Sequence, residues 1–313
     1  MNWPGQWVLL AMRKQNRFRY RLKVRRWKGQ GYEVAYLQSS RVKTGPTLVF
    51  LHGLGASKDQ WGPKLYSLVE TCNCVFLDLP GEGESSFDGL QSYDPTAQVD
   101  RLRAFFEAHA FPELVLIGSS MGGCIACLYA ATYPAEVCGV IALAPAGLPS
   151  TRLSAAMNQF LESGRHPFGY RCVDEMQALW EMIFTRPPRV PAFLARALAN
   201  KGAQRYEKIG KILRDFKDAG LYPLQSRLAD VQAKTLVVWG RNDRVFDVSC
   251  LHEVHRLLPQ ASICVIEDAG HVPYLECAEQ TLQAIQWFLA GTQRCLTQCE
   301  STCKPWVIEV DPY

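Results

Sequence analysis

No Asn-X-Ser/Thr site occurs anywhere in the 313 residues, and no Asp or Glu precedes Glu33. No apolar run approaches the ~20 residues that a membrane-spanning helix needs, and the chain has neither an internal repeat nor a low-complexity tract. Charged residues are only 20% of the chain against 48% hydrophobic. That balance excludes disorder, collagen and coiled coil, and leaves a chain that buries a full core.

The shortage of acid is local. Residues 1–31 carry nine basic side chains (Arg13, Lys14, Arg17, Arg19, Arg21, Lys23, Arg25, Arg26, Lys28) inside an overall charge of +4. The remainder holds 25 basic and 30 acidic residues and so carries −5. A general nucleic-acid binder would spread basic residues over a folded face, so nucleic acid is not an expected partner. One local anionic contact fits better, and an anionic membrane surface meeting residues 1–28 is the expected one. Trp7 to Met12 is apolar but lacks a preceding positive charge and a cleavage site, so it is no signal peptide. It reads as an interfacial anchor; the bland alternative is an edge strand protected by charge.

Twelve cysteines in 313 residues fall far below the density of a disulfide scaffold. Cys124, Cys127, Cys138 and Cys264 lie in apolar runs, where a thiol acts as a small hydrophobe. An intracellular, reducing environment is expected. Cys124 and Cys127 spell C-x-x-C within a Gly/Ala-rich helical pattern, which close packing explains without redox chemistry. Cys295, Cys299 and Cys303 lack a nearby fourth ligand for zinc. They fall in residues 293–313, read as an unstructured tail, with palmitoylation the lesser alternative.

Short buried-strand runs alternate with helical patterns. Strands are expected at 47–51, 74–77, 114–117, 140–143, 235–239 and 262–266, and helices at 96–108, 121–132, 251–258 and 279–290. Such alternation predicts an α/β fold with a mostly parallel central sheet and helices on both faces. Residues 148–228 break the pattern with apolar stripes at helical spacing, separated by prolines, and read as an inserted helical cap. Basic residues at 17, 19, 21, 23 and 25 alternate with apolar or aromatic ones, which predicts a strand; with a turn at Lys28–Gly31 and a return over 32–37 it forms an N-terminal β-hairpin. The expected organisation is a basic segment over 1–31, a core over 32–147 and 229–292, the cap, and the tail.

Four motifs fall just beyond the ends of expected strands, where an open α/β sheet places its site. Gly118-Ser119-Ser120-Met121-Gly122 fits G-x-S-x-G at a strand-to-helix turn. Glycines on both sides of Ser120 remove the side chains that would collide there, whereas Ser119 has Ile117 two residues before it. His52-Gly53-Leu54-Gly55 ends an earlier strand, so the backbone N–H groups of Leu54 and Met121 are the expected oxyanion donors. Trp239-Gly-Arg-Asn-Asp243 supplies an acid and Asp268-Ala-Gly270-His271 a histidine. Asp247 is a second acid with an ordinary helix-capping role. Lys58, Asp78 and Glu276 read as hydrogen-bonding support around the site.

The order Ser120, Asp243, His271 and these motifs resemble the α/β-hydrolase superfamily over residues 45–148 and 229–290. Leu51-His-Gly-Leu-Gly-Ala-Ser-Lys-Asp-Gln-Trp61, Asp78-Leu-Pro-Gly-Glu-Gly-Glu-Ser85, Ser119-Ser-Met-Gly-Gly123, Pro145-Ala-Gly147 and Trp239-Gly-Arg-Asn-Asp-Arg-Val-Phe-Asp-Val-Ser249 are similar to the monoacylglycerol lipases called α/β-hydrolase domain-containing protein six and to their bacterial relatives. The resemblance implies an α/β-hydrolase fold and hydrolysis of a single-chain lipid ester without metal or cofactor. Members of that group begin with a spanning helix; this chain offers only Trp3 to Met12 before its basic segment, so integral insertion is not expected. Two rivals share the fold. A carbon–carbon bond hydrolase acting on ring-cleavage products needs a cationic pocket, for which Arg186 or Arg189 is available. A non-catalytic binding protein would lack part of the triad, which this chain keeps.

Overall fold

In a computed structural model, the protein is described over residues 4–40, 43–111, 113–163 and 168–296. The chain begins with helix α1 (Pro4–Arg19), followed by the hairpin β1 (Leu22–Gly29) and β2 (Tyr32–Ser39). Next come β3 (Thr47–Leu51), α2 (Gly62–Tyr66), β4 (Asn73–Leu77), α3 (Pro95–His109), β5 (Leu114–Ser119), α4 (Met121–Thr132) and β6 (Val137–Leu143). Four helices then intervene: α5 (Ala155–Ser163), α6 (Val173–Ile183), α7 (Ala192–Ala203) and α8 (Tyr206–Asp218). The sheet resumes with β7 (Lys234–Gly240), α9 (Cys250–Leu257), β8 (Ser262–Ile266), α10 (Pro273–Glu276) and α11 (Ala278–Leu296).

The eight strands lie in the order β1-β2-β4-β3-β5-β6-β7-β8. Pairings β1/β2 and β2/β4 are antiparallel and all others parallel. After β3 the chain steps to one side for β4 and to the other for β5. The ends of β3 and β5 therefore flank the point where an open sheet forms a crevice. Strands β3 and β5 are buried along their whole length, as continuous apolar runs covered on both faces should be. Two apolar clusters result, one on each face of the sheet. Asp94-Pro95 starts α3 as its composition suggests: the Asp94 carboxylate accepts the Ala97 amide at 2.9 Å and Pro95 needs no donor partner.

The N-terminus corrects one expectation. Residues 17–19 close a helix instead of opening a strand, and the strand starts only at Leu22. Arg21, at φ 50°, breaks the chain direction between them. The helix is fixed by what it meets. Arg17 grips both oxygens of Asp59 at 2.8–3.0 Å, and Arg13 stands 3.8 Å from the same carboxylate. Gly5 packs so closely on α7 that a Cβ there would lie 2.7 Å from the Ala197 Cβ and the Phe193 carbonyl oxygen. The hairpin turn is as expected, with Gln30 and Gly31 at φ 50° and 82°.

At the other end α11 runs through Leu296, past the expected start of a tail at 293. Cys299, Cys303 and Trp3 lie outside the described residues. Nine described cysteines, from Cys72 to Cys277, are free thiols. Burial pushes Cys124 well up and Cys127 to about 12, so neither holds the thiolate that redox exchange requires.

Candidate active site

Ser120 sits between β5 and α4 at φ 54°, ψ −117°, a conformation that L-residues rarely adopt. Three backbone hydrogen bonds hold it there. Its own N–H donates to Leu143 O at 2.9 Å, and its carbonyl accepts from Cys124 N and Ala146 N, both at 3.0 Å. Glycine on either side makes the turn possible. A Cβ on Gly118 would lie 2.1 Å from Gly122 O, and one on Gly122 would lie 2.0 Å from Leu51 O. Gly53 is a third requirement, because a Cβ there would come within 3.2 Å of the Ser120 Cβ. The loop after β3 can thus press against the serine.

Asp243 and His271 are brought together from loops after β7 and β8, their Oδ2 and Nδ1 atoms 2.8 Å apart. The other Asp243 oxygen accepts the Val245 and Phe246 amides at 2.8 and 3.0 Å, which aims the carboxylate. His271 is anchored by its own N–H to Ile183 O at 2.8 Å and lies edge-to-face with Phe246, ring centres 5.3 Å apart. Ser120 and His271 line one cavity of about 150 Å³ together with Leu54 and Met121. Met121 is the first residue of α4, where a helix leaves its N–H groups without intrahelical acceptors. Most of the remaining lining is apolar, with Phe168, Ile183, Leu213 and Phe216 contributed by the inserted segment and Gln60, Ser119 and Tyr274 as the polar exceptions. Asp247 stays apart, its carboxylate accepting the Ser249 amide at 2.9 Å just before α9. Neither Arg186 nor Arg189 lines the cavity.

The supporting groups include residues that the sequence does not single out. Glu276 accepts the amides of Gly270, Thr185 and Arg186 at 2.7, 2.8 and 3.1 Å, stitching the His271 loop to the end of α6. Lys58 and Asp78 form a buried pair at 2.7 Å, and Asp78 also accepts the Lys58 and Glu84 amides at 2.7 and 2.8 Å. His52 is fully buried; its Nε2 accepts the Leu79 amide at 3.0 Å while Nδ1 lies 2.8 Å from Gly53 O. Burial holds its imidazole below the ordinary value, so it is a neutral brace. Glu82 was not anticipated. Its Oε1 accepts the Gly55 amide at 2.7 Å, and Oε2 is buried without a hydrogen-bond partner among the described residues. Burial pushes this carboxyl up to about 7, against the pull of the Gly55 amide and the Lys208 and Arg205 cations. The glycines on either side of it, at φ 88° and 54°, were the available signal.

A carboxylate, an imidazole and a strained serine around an apolar cavity, with amides at its edge, can carry out acyl transfer. Comparisons with known proteins bear on the fold and on the class of reaction. Residues 46–278 match the family model for the alpha/beta hydrolase fold. Lipase 1 of Psychrobacter immobilis is 28% identical over 255 residues, 80% of this chain and 78% of that one. Monoacylglycerol lipase ABHD6 of Mus musculus is 26% identical over 271 residues, 84% of this chain and 81% of that one. The crystal structure of a membrane phospholipase A, described as a novel bacterial virulence factor, superposes with a TM-score of 0.87 at 35% identity, covering 92% of each chain. The chain belongs to the α/β-hydrolase family, as a lipase-like carboxylic ester hydrolase.

Proposed function

We propose that the chain cleaves the ester of a single-acyl-chain lipid, a monoacylglycerol or a relative of it, through an acyl-enzyme on Ser120. The observation that carries this reading is a strained serine sharing an apolar cavity with a histidine that a buried aspartate orients. In this mechanism His271 takes the Ser120 proton as the hydroxyl attacks the ester carbonyl. Asp243 holds the imidazole with its proton on Nδ1 and stabilises the imidazolium. The oxyanion is received by the Leu54 and Met121 amides; one such donor is worth about 2.7–4 kcal/mol in the transition state. His271 then protonates the leaving alcohol, and water, deprotonated by the same imidazole, frees the acid. Phe168, Ile183, Leu213 and Phe216 offer the acyl chain an apolar bed, which supports an aliphatic ester.

Ser120→Ala should abolish fluorophosphonate labelling and lower kcat by roughly 10⁶ on a monoacylglycerol, the scale set by a triad hydrolase. A dienone acid, the substrate of carbon–carbon bond hydrolases on this fold, should not turn over. Cleavage of the dienone acid alone would sink the lipase reading. Unlabelled wild-type protein would point to a non-catalytic binder.

The same enzyme is proposed to sit on an anionic membrane surface through α1. No helix among the described residues is long and apolar enough to cross a membrane. Trp7 and Phe18 are 60% and 88% exposed, with Leu10 beside them and Lys14 between. These four positions fall on one helix face, opposite the side that carries Gly5 and Arg13. Lys14, Arg19, Arg21, Lys23 and Arg25 are exposed, whereas Arg26 and Lys28 pair with Glu33. The charge available to a membrane is therefore smaller than nine.

A further inference from the structure

The serine's cavity has a neighbour of opposite character. A second cavity, of about 160 Å³, shares Ala56 and Gln60 with the first as common walls. It is several times the roughly 30 Å³ share of a liquid water molecule. Three half-buried cations from separate parts of the chain face it: Arg13 of α1, Lys201 of α7, and Arg205 between α7 and α8. Asp59 is the one carboxylate in its described lining, and Arg17 already holds both Asp59 oxygens. Among the described residues, neither Lys201 nor Arg205 forms an ion pair with a carboxylate. The side-chain Nε2 of Gln60, on the shared wall, is buried and has no hydrogen-bond partner among the described residues. Burial pushes the Lys201 ammonium down to about 8, with Arg13 and Arg205 adding to the effect. The lining thus sets three cations against one carboxylate, and Arg13, Arg17 and Lys58 all share that carboxylate.

We propose that this second cavity is a subsite for the phosphate of a lipid ester, held by Arg13, Lys201 and Arg205, so that the substrate is a single-chain glycerophospholipid. The proposal rests on the ester-hydrolase reading and sharpens its substrate class. Guanidinium groups match phosphate oxygens two at a time, and an ammonium adds a compact charge. The orphaned Gln60 amide is a further donor between the two cavities. One short loop, Gly53 to Gln60, borders both, so a single lipid could place its ester on one side of that loop and its phosphate on the other.

The test compares kcat/KM on a 1-acylglycerol-3-phosphate and on the 1-acylglycerol of equal chain length, in the same detergent micelles. Wild type should favour the phosphate lipid. Lys201→Met and Arg205→Met should each lower that preference by about ten-fold or more, chiefly through KM, the scale of a lost charged hydrogen bond. Lys201→Arg should restore most of it, which a packing defect would not allow. A preference that neither Met variant moves overturns the subsite. If inorganic phosphate raises the Tm of wild type but not of Lys201→Met while the preference stays fixed, the cavity holds a free anion and the lipid assignment is overturned. Wild type inactive on both lipids would instead overturn the ester-hydrolase reading itself.

Discussion

The amide of Gly55 donates to Glu82 Oε1 at 2.7 Å. Through that bond a fully buried carboxyl fixes the loop whose preceding residue, Leu54, is proposed to receive the oxyanion. Glu82 lines neither cavity; it positions a loop proposed to meet the substrate.

Glu82 therefore gives the fold a pH dependence with a definite sign. Its carboxyl stands at about 7 in the folded protein against 4.5 for the ordinary group. Below 4.5 both folded and unfolded chains bind the proton. Between 4.5 and 7 the folded state binds more protons, so stability falls as pH rises through that window. Glu82→Gln removes the titration. Urea unfolding from pH 5 to 7.5 should show the variant gaining on wild type by at most about 3 kcal/mol, at ~1.4 kcal/mol per pKa unit. A constant difference across the range would show that Glu82 does not titrate there.

Asp243→Asn should lower kcat by about 10⁴ with little change in Tm. Asparagine keeps an oxygen for the Val245 and Phe246 amides, so the loop survives, while the amide group facing His271 Nδ1 favours the wrong tautomer. Equal activity in wild type and variant would remove Asp243 from the mechanism and return attention to Asp247.

The serine turn is intolerant of a single methyl group. Gly122→Ala places a Cβ 2.0 Å from Leu51 O, and the obstacle is backbone rather than a flexible side chain. The cost should reach about 3 kcal/mol or more, as for other overpacked core sites. Thermal unfolding would read this as a fall of several degrees, or as loss of soluble protein. A variant with the wild-type Tm would mean that β3 and α4 are not as close as described.

Membrane attachment through α1 separates two contributions. Trp7→Ser with Phe18→Ser should weaken binding to all vesicles, whatever their charge, by about ten-fold, because both side chains are largely exposed and leave the fold alone. Replacing Lys14, Arg21 and Lys23 with Gln should remove only the preference for anionic lipid, at about 1 kcal/mol each. If cosedimentation with vesicles is unchanged by both sets, the charge on β1 serves as protection of the sheet's outer strand.

The strands nearest the site could be read from the chain because burial on both faces forces continuous apolar runs; 47–51 coincides with β3 and 114–117 lies within β5. The turn at Ser120 was legible because only glycine fits beside it. Three features were not. The alternation from Arg17 to Arg25 spans two elements, and its periodicity survives a helix end and a strand start without registering the break at Arg21. Helix α7 prints no stripe because its buried residues, Ala195, Ala197, Ala199 and Gly202, are too small. Glu82 is marked in the chain only by its flanking glycines, since a carboxylate's surroundings come from segments distant in sequence. The cavity pairing Arg13 with Lys201 and Arg205 has the same origin.

The contact of Gly5 with Ala197 bears on how this protein should be handled. Trimming residues 1–20 to obtain a more tractable enzyme would do more than remove the proposed membrane contact. It would strip the guanidinium groups from Asp59, uncover the alanine side of α7 and remove one wall of the cationic cavity. A shortened protein that remained active would report on a different molecule, with an altered neighbour to the serine's cavity. The opening helix is part of the building, whatever surface it also meets.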